Sequence, residues 1–181
     1  MSVDGTHFRV PQFKPFSKAW YSFKFKGPGV AYEVAVCILT GWIVWVNGPF
    51  PCGDWPDIEI FRASLLSMLG HGERVEADDG YSGESPLYCR LPGSQPTDPY
   101  FEGLRQRVRN RQETVNSRFK DWKCLKEAFH HAHDFAQKHS DCFHAVAVIT
   151  QLEIQTGHPL FETQNYDDSS AQMMQMTREQ N

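Results

Sequence analysis

No run of apolar residues in this 181-residue chain reaches the length of a bilayer-spanning helix. The most apolar segment, AYEVAVCILTGWIVWV, is too short and carries Thr40-Gly41 at its middle, so it reads as a hairpin. Residues 1–20 lack the apolar stretch of a secretory signal, and none is expected. Cysteine is sparse: five residues, an odd number, with no C-x-x-C spacing. That excludes a disulfide framework and points to free thiols in a reducing compartment. An excess of positive charge is also missing. The formal net charge is −4, so the molecule as a whole has no electrostatic attraction for nucleic acid. There is no internal repeat.

What remains is an ordinary globular composition, 40% hydrophobic and 22% charged, long enough for one domain with a proper core. SVDGTHFRV alternates and predicts a first strand. VAYEVAVCIL and WIVWVNG predict two more across the Thr40-Gly41 turn. Both faces of that pair are apolar, which predicts central strands covered on both sides. GPFPCGDWPD reads as loop, and DIEIFRASLLSMLG as a helix from Asp57 to Gly70. RVEAD and SPLYCRLP predict a fourth and a fifth strand. A long helix follows, with Asp98 as N-cap and Pro99 at its first position. The last helix is expected over SDCFHAVAVITQLEIQT, ending at Gly157. The Met/Gln-rich tail from Asp167 has the composition of a disordered segment. The order of elements predicts an α/β fold, an antiparallel three-strand meander extended by parallel strands and flanked by helices.

Two carboxylates stand out. Asp4 lies inside the first strand, and Asp78 ends the fourth, in EADDGY. If those strands are neighbours, the carboxylates lie side by side and repel unless a cation sits between them. Mg²⁺, a hard ion with oxygen ligands, suits such a site. A plain turn is the other reading, since Asp79-Gly80 is ordinary turn chemistry that Asp78 could cap.

The blocks VDGTH, KFKGPGVAYEVAVCILTGWIVWVNGPFP, GDWPDIEIFR, EADDGY and RNRQETVNSRFKDWKCL occur in one order. In these blocks the chain resembles the catalytic domain of Harbinger (PIF/Harbinger) type DDE transposases, as far as about Phe161. The resemblance implies an RNase H-like domain over residues 1–162, leaving 163–181 as tail. It also implies a metal-dependent nuclease or strand-transfer core that hydrolyses or transfers DNA phosphodiesters by a two-metal mechanism. Its Asp-Asp-Glu triad would fall on Asp4, Asp78 and Glu113 and bind Mg²⁺ or Mn²⁺, with Asp79 a bystander. The family also carries an aspartate at Asp57, which reads here as a helix N-cap. A nuclear location, a DNA-binding segment ahead of the catalytic domain and a separate Myb-like DNA-binding partner protein belong to the same implication. A non-catalytic DNA- or protein-binding module derived from such an enzyme is the alternative.

Periodicity disagrees with the third carboxylate. The apolar stripe of the long helix is Phe101, Leu104, Val108, Val115, Phe119 and Trp122. Glu113 lies off it, where it reads as a solvated partner of Arg109. Around it eight of the 18 Lys and Arg fall in residues 105–126, opposed only by Glu113 and Asp121. Arg105, Arg107, Arg109, Arg111, Arg118, Lys120 and Lys123 are therefore expected to hold a DNA backbone without reading sequence, and Lys14, Lys18, Lys24 and Lys26 to extend the track. A solvated helix face is the plainer reading. FHHAHDFAQKHSDCFH lacks a zinc-finger spacing, so a zinc-stabilised interaction domain is set aside and His130 and His131 are expected at the surface or in packing.

Overall fold

The computed structural model describes residues 1–12, 14–93, 99–130 and 134–163. A six-stranded mixed sheet runs through the molecule. Its middle is made by β1 (Ser2–Arg9) and β3 (Gly27–Val36), antiparallel from Ser2 opposite Val36 to Arg9 opposite Gly29. β2 (Tyr21–Ser22) pairs with the start of β3, and β4 (Ile43–Pro51) with the rest of it. On the other side β5 (Val75–Glu76) lies parallel to β1, with Ser2 opposite Glu76, and β6 (Cys89–Arg90) lies parallel to β5.

β3 is apolar on both faces because both faces are covered. Val30, Tyr32, Val34 and Val36 pack with Phe8 against the helices α2 (Pro99–Asp121), α3 (Lys123–Lys126) and α4 (Phe135–Thr156), through Val115, Phe119, Leu125, Phe143 and Ile154. Ala31 and Ala35 face α1 (Asp57–Ala63), which brings Ile60 and Phe61. β4 is different. It is an edge strand, half-buried at most, with Val44 exposed, which corrects the expectation that it is central. It also runs on through Gly48–Pro51, where a loop is expected from the sequence, while β5 and β6 are only two residues each.

α1 stops at Ala63 rather than Gly70. Ser64 leaves helical geometry at φ −146° and its hydroxyl donates back to Ile60 O at 3.1 Å, and a short 3₁₀ turn, Leu65–Met68, follows. α4 ends on Gly157 as expected but begins at Phe135, because His139 is a core residue. Its Nδ1 is bonded to the Tyr32 hydroxyl at 2.8 Å, and burial pushes the imidazole down to about 4, so it stays neutral. His130 is exposed, whereas His131 lies outside the described residues, as do Asp98 and the tail from Asp167. Thr163 is buried and donates to Ile38 O at 2.7 Å, which ties the segment after α4 to the turn after β3. Among the described residues no helix is long and apolar enough to cross a membrane.

Candidate active site

Side chains alternate along β1, so Val3 enters the core and Asp4 faces α2. There Asn116 donates its side-chain N–H to Asp4 Oδ2 at 2.7 Å. The Asp4 carboxyl is pushed up to about 6, chiefly by burial, then by the negative charges of Asp78 and Asp57, with Lys24 opposing them.

β5 brings Asp78 to the neighbouring position. The chain leaves the strand at Ala77, and Asp78 starts the 3₁₀ turn Asp79–Glu84, its Oδ1 accepting the Gly80 N–H at 2.9 Å. The turn reading and the site reading thus apply to the same side chain: Asp78 caps the turn and lines a cleft with Asp4 and Glu113. Asp79 opens the turn, is exposed, and its side chain makes no hydrogen bond among the described residues.

Glu113 arrives from α2 and is exposed. Arg109, its expected partner, is instead bonded to Glu102 Oε1 at 2.8 Å and Gln106 Oε1 at 2.9 Å. Glu113 makes no hydrogen bond or ion pair with any other described residue. The wheel placed Glu113 correctly at the solvent side and failed only on its partner, because the buried face of α2 is half polar. Arg105, Arg111, Gln112 and Asn116 are buried beside Val108, Val115 and Phe119. Gln112 reaches Ser2 Oγ and Val34 O, at 2.9 and 3.1 Å. Counting only apolar residues draws the stripe too narrow and makes buried Gln112 and Asn116, beside Glu113, look like solvent-facing residues.

Asp4 and Glu113 form a wall between two clefts. The narrow one, about 60 Å³, is completed by Asp78, Glu76, Gln112 and Arg109. The wide one, about 430 Å³, is lined by His7, Lys24, Phe25, Asn116 and Lys120. Lys120 loses basicity through burial and the repulsion of Lys24, while Asp4 works the other way, so two ammonium groups flank one carboxylate.

Arg109 lines the narrow cleft and Lys120 the wide one, but the remaining cations of α2 line neither. Arg111 is buried and donates to Ile38 O at 2.6 Å and Thr163 Oγ1 at 3.0 Å. Arg107 donates to Glu162 O and Arg118 to His158 O. Arg105 is buried between Glu76 and Glu102. These arginines hold the segment after α4 and the end of β5. Arg111 is buried on protein oxygens and Arg105 between two carboxylates, which sets both apart from the exposed lysines of the expected track. Lys120, partly desolvated though accessible, and Lys123, exposed, make no ion pair among the described residues.

A family model described as DDE superfamily endonuclease matches residues 3–151. The chain belongs to that family. A comparison with curated proteins found no match, and neither did one with solved structures. The mixed sheet with flanking helices is consistent with the RNase H-like fold of DDE endonucleases, and membership points to nuclease or transposase chemistry on DNA.

Endonucleases of this superfamily typically use divalent metals. The donor set here suits a hard cation: carboxylate oxygens that repel one another, one of them short of charge compensation in burial. The Asn116 Oδ1, buried beside Asp4, hydrogen-bonds nothing among the described residues. The grouping is looser than a formed site, since no three His, Cys, Asp or Glu side chains among the described residues gather closely enough to hold one ion.

One residue of this neighbourhood was misread from the sequence. Asp57 is not an N-cap; Pro56 holds that position, and Asp57 is the first helical residue. Its side chain is only 12% exposed, 3.4 Å from Lys24 Nζ and 3.8 Å from His7 Nε2. Burial works to raise this carboxyl, but the His7 ring and the Lys24 ammonium more than offset that and hold it below its usual range. A methyl group at Gly5 would overlap the Asp57 carboxylate, and one at Gly80 would stand 3.6 Å from Asp57 Oδ2. The glycine after Asp4 is what lets Asp57 approach, while Gly80 makes room for the Asp78 carboxylate. VDGTH carries that signal, but only the fold shows the residue that uses it.

Proposed function

We propose that the chain is the catalytic core of a Harbinger-type DNA endonuclease or transposase that cuts or transfers phosphodiesters with two divalent cations, Mg²⁺ or Mn²⁺. Asp4, Asp78 and Glu113 are the ligands in this reading. The observation that carries it is that these three carboxylates, 74 and 35 positions apart in sequence, line one cleft. The cations, when bound, would supply activation of the attacking oxygen and neutralisation of the leaving one.

The protein's own part is positioning. Asn116 fixes one oxygen of Asp4, and the Gly80 N–H fixes one oxygen of Asp78. Outer partners of this kind orient ligands and keep them deprotonated. Lys24 and Lys120 hold non-bridging oxygens of the scissile phosphate in the wide cleft, and Lys123 continues the contact along the backbone. Glu113, exposed and unpaired among the described residues, swings in to complete the set. Recognition of the target sequence, through a further DNA-binding segment or a Myb-like partner protein, and action in the nucleus belong to the same reading.

The test is incubation of supercoiled plasmid with the protein in Mg²⁺, Mn²⁺ or EDTA. Nicking that needs metal and disappears in Asp4→Asn and Asp78→Asn is expected. The loose gathering of the carboxylates favours a second reading, a non-catalytic DNA-binding module. Intact plasmid at every metal concentration, with the DNA still retarded in a gel, would establish it.

A further inference from the structure

The turn joining β2 to β3 reads Phe23-Lys24-Phe25-Lys26, aromatic and basic by alternation. Phe25 turns inward. Its ring lies under the Arg9 guanidinium at 4.4 Å, and it lines the wide cleft together with Lys24. Phe23 turns outward and is 76% exposed. It meets Tyr21 at 5.2 Å between ring centroids, and Tyr21 meets Phe16, itself 62% exposed, at 6.3 Å. The three rings form one strip, with Phe23 in the same turn as Lys24 and Phe25, which line the cleft beside Asp4. Lys14, Lys18 and Lys26 are exposed in the same segments and have no ion pair among the described residues.

Exposed aromatic rings in a row carry a free-energy cost in water unless something covers them. The lysines say what does. A polyanion satisfies them, whereas an uncharged protein surface would leave them unpaired. A duplex offers phosphates but keeps its base faces stacked inside, so it cannot use the rings. An unpaired strand offers both, a phosphate and an open π-face at each nucleotide. We propose that the strip of Phe16, Tyr21 and Phe23, with Lys18 and Lys26 beside it, binds unpaired DNA, the single strand that leaves the cleft next to the scissile phosphate. The assignment rests on the nuclease reading above for the position of the cleft, but its binding chemistry is independent of cleavage.

The experiment uses the whole chain in EDTA and fluorescence anisotropy with two probes, an oligothymidine of about 12 nucleotides and a blunt duplex of equal length. Phe16→Ala/Phe23→Ala is expected to weaken oligothymidine binding about tenfold or more, with duplex affinity changed less than twofold. Phe16→Tyr/Phe23→Tyr retains binding. Lys18→Ala/Lys26→Ala lowers the salt slope for the single strand by roughly 1.4, at about 0.7 per phosphate contact. The proposal is overturned if the double alanine variant, with an unchanged melting temperature, binds oligothymidine like the wild type. It is equally overturned if single strand and duplex lose affinity alike, or if oligothymidine does not bind at all, which would leave the strip to a protein partner. Binding through the strip by a protein that never nicks plasmid would sink the nuclease reading and leave this one standing; metal-dependent nicking with no contribution from the rings would do the reverse.

Discussion

Helix α2 carries cations on two sides, and the sides do different work. Toward the segment after α4 stand Arg107, Arg111 and Arg118, each donating to a protein oxygen: Glu162 O, Ile38 O with Thr163 Oγ1, and His158 O. Toward Asp4 stand Asn116 and Lys120, with Glu113 between the clefts. A guanidinium has five donors in a fixed fork and satisfies several carbonyls at a chain end, which suits the first side. An ammonium is a compact charge on a flexible stem, which suits a site that must receive something. Eight cations in 105–126 count as one basic cluster on paper. In the fold the arginines stitch and the lysines are presented.

The strongest way to break this comparison is Arg111→Glu. It buries an unpaired carboxylate against Ile38 O, and is expected to cost about 3–5 kcal/mol, read as a urea midpoint shift. A stable variant with weakened DNA binding would return Arg111 to the DNA side.

Next in size is the pH dependence of the site side. Asp4 is raised from 3.8 to about 6, so the fold favours its protonated form. Without divalent metal, the stability associated with Asp4 is full below about 4 and lost as pH rises through 6, by about 3 kcal/mol in total. Asp4→Asn is expected to remove that dependence, and Mn²⁺ to restore the lost stability in the wild type only. Melting curves between pH 4 and pH 8 at constant ionic strength decide it, roughly over the window these shifts define. An Asp4→Asn profile parallel to the wild type would deny the burial effect.

Asn116→Ala comes third. Removing the donor on Asp4 Oδ2 is expected to weaken Mn²⁺ binding about 10–100-fold in calorimetric titration. Arg118→Ala, half-buried on the other side, should leave that titration unchanged. Equal losses from both would erase the distinction between the sides. The smallest effect is expected from Lys120→Ala, a fall of about 0.9 in the salt slope for duplex binding, one phosphate contact, with stability unaltered.

Much of the fold was legible because its signals are local. β1, β3, the long helix from Pro99 and the Gly157 stop follow from alternation, helical period and end residues. A helix between strands signals a parallel crossover, but that β5 lies beside β1, and so Asp78 near Asp4, was left open by the sequence and is given by the fold. The apolar pattern of WIVWVNG looked central, yet β4 is an edge strand, because periodicity reports how many faces suit burial and not whether a further strand arrives. Asp57 was misread for a similar reason. Its position at a helix start is visible in the sequence, but its closeness to Gly5 and Gly80 is set by how α1 lies over the sheet.

The sequence by itself determined the element types, the family to which the blocks belong and the three carboxylates worth following. Those properties reside in residue identity and short spacing. Only the tertiary structure decided which charges face inward. The sign of a side chain is local, but its partner is 40 to 73 residues away, as with Arg118 and His158 or Arg111 and Ile38. Desolvation then turns the same guanidinium from a ligand for phosphate into a clamp on the chain.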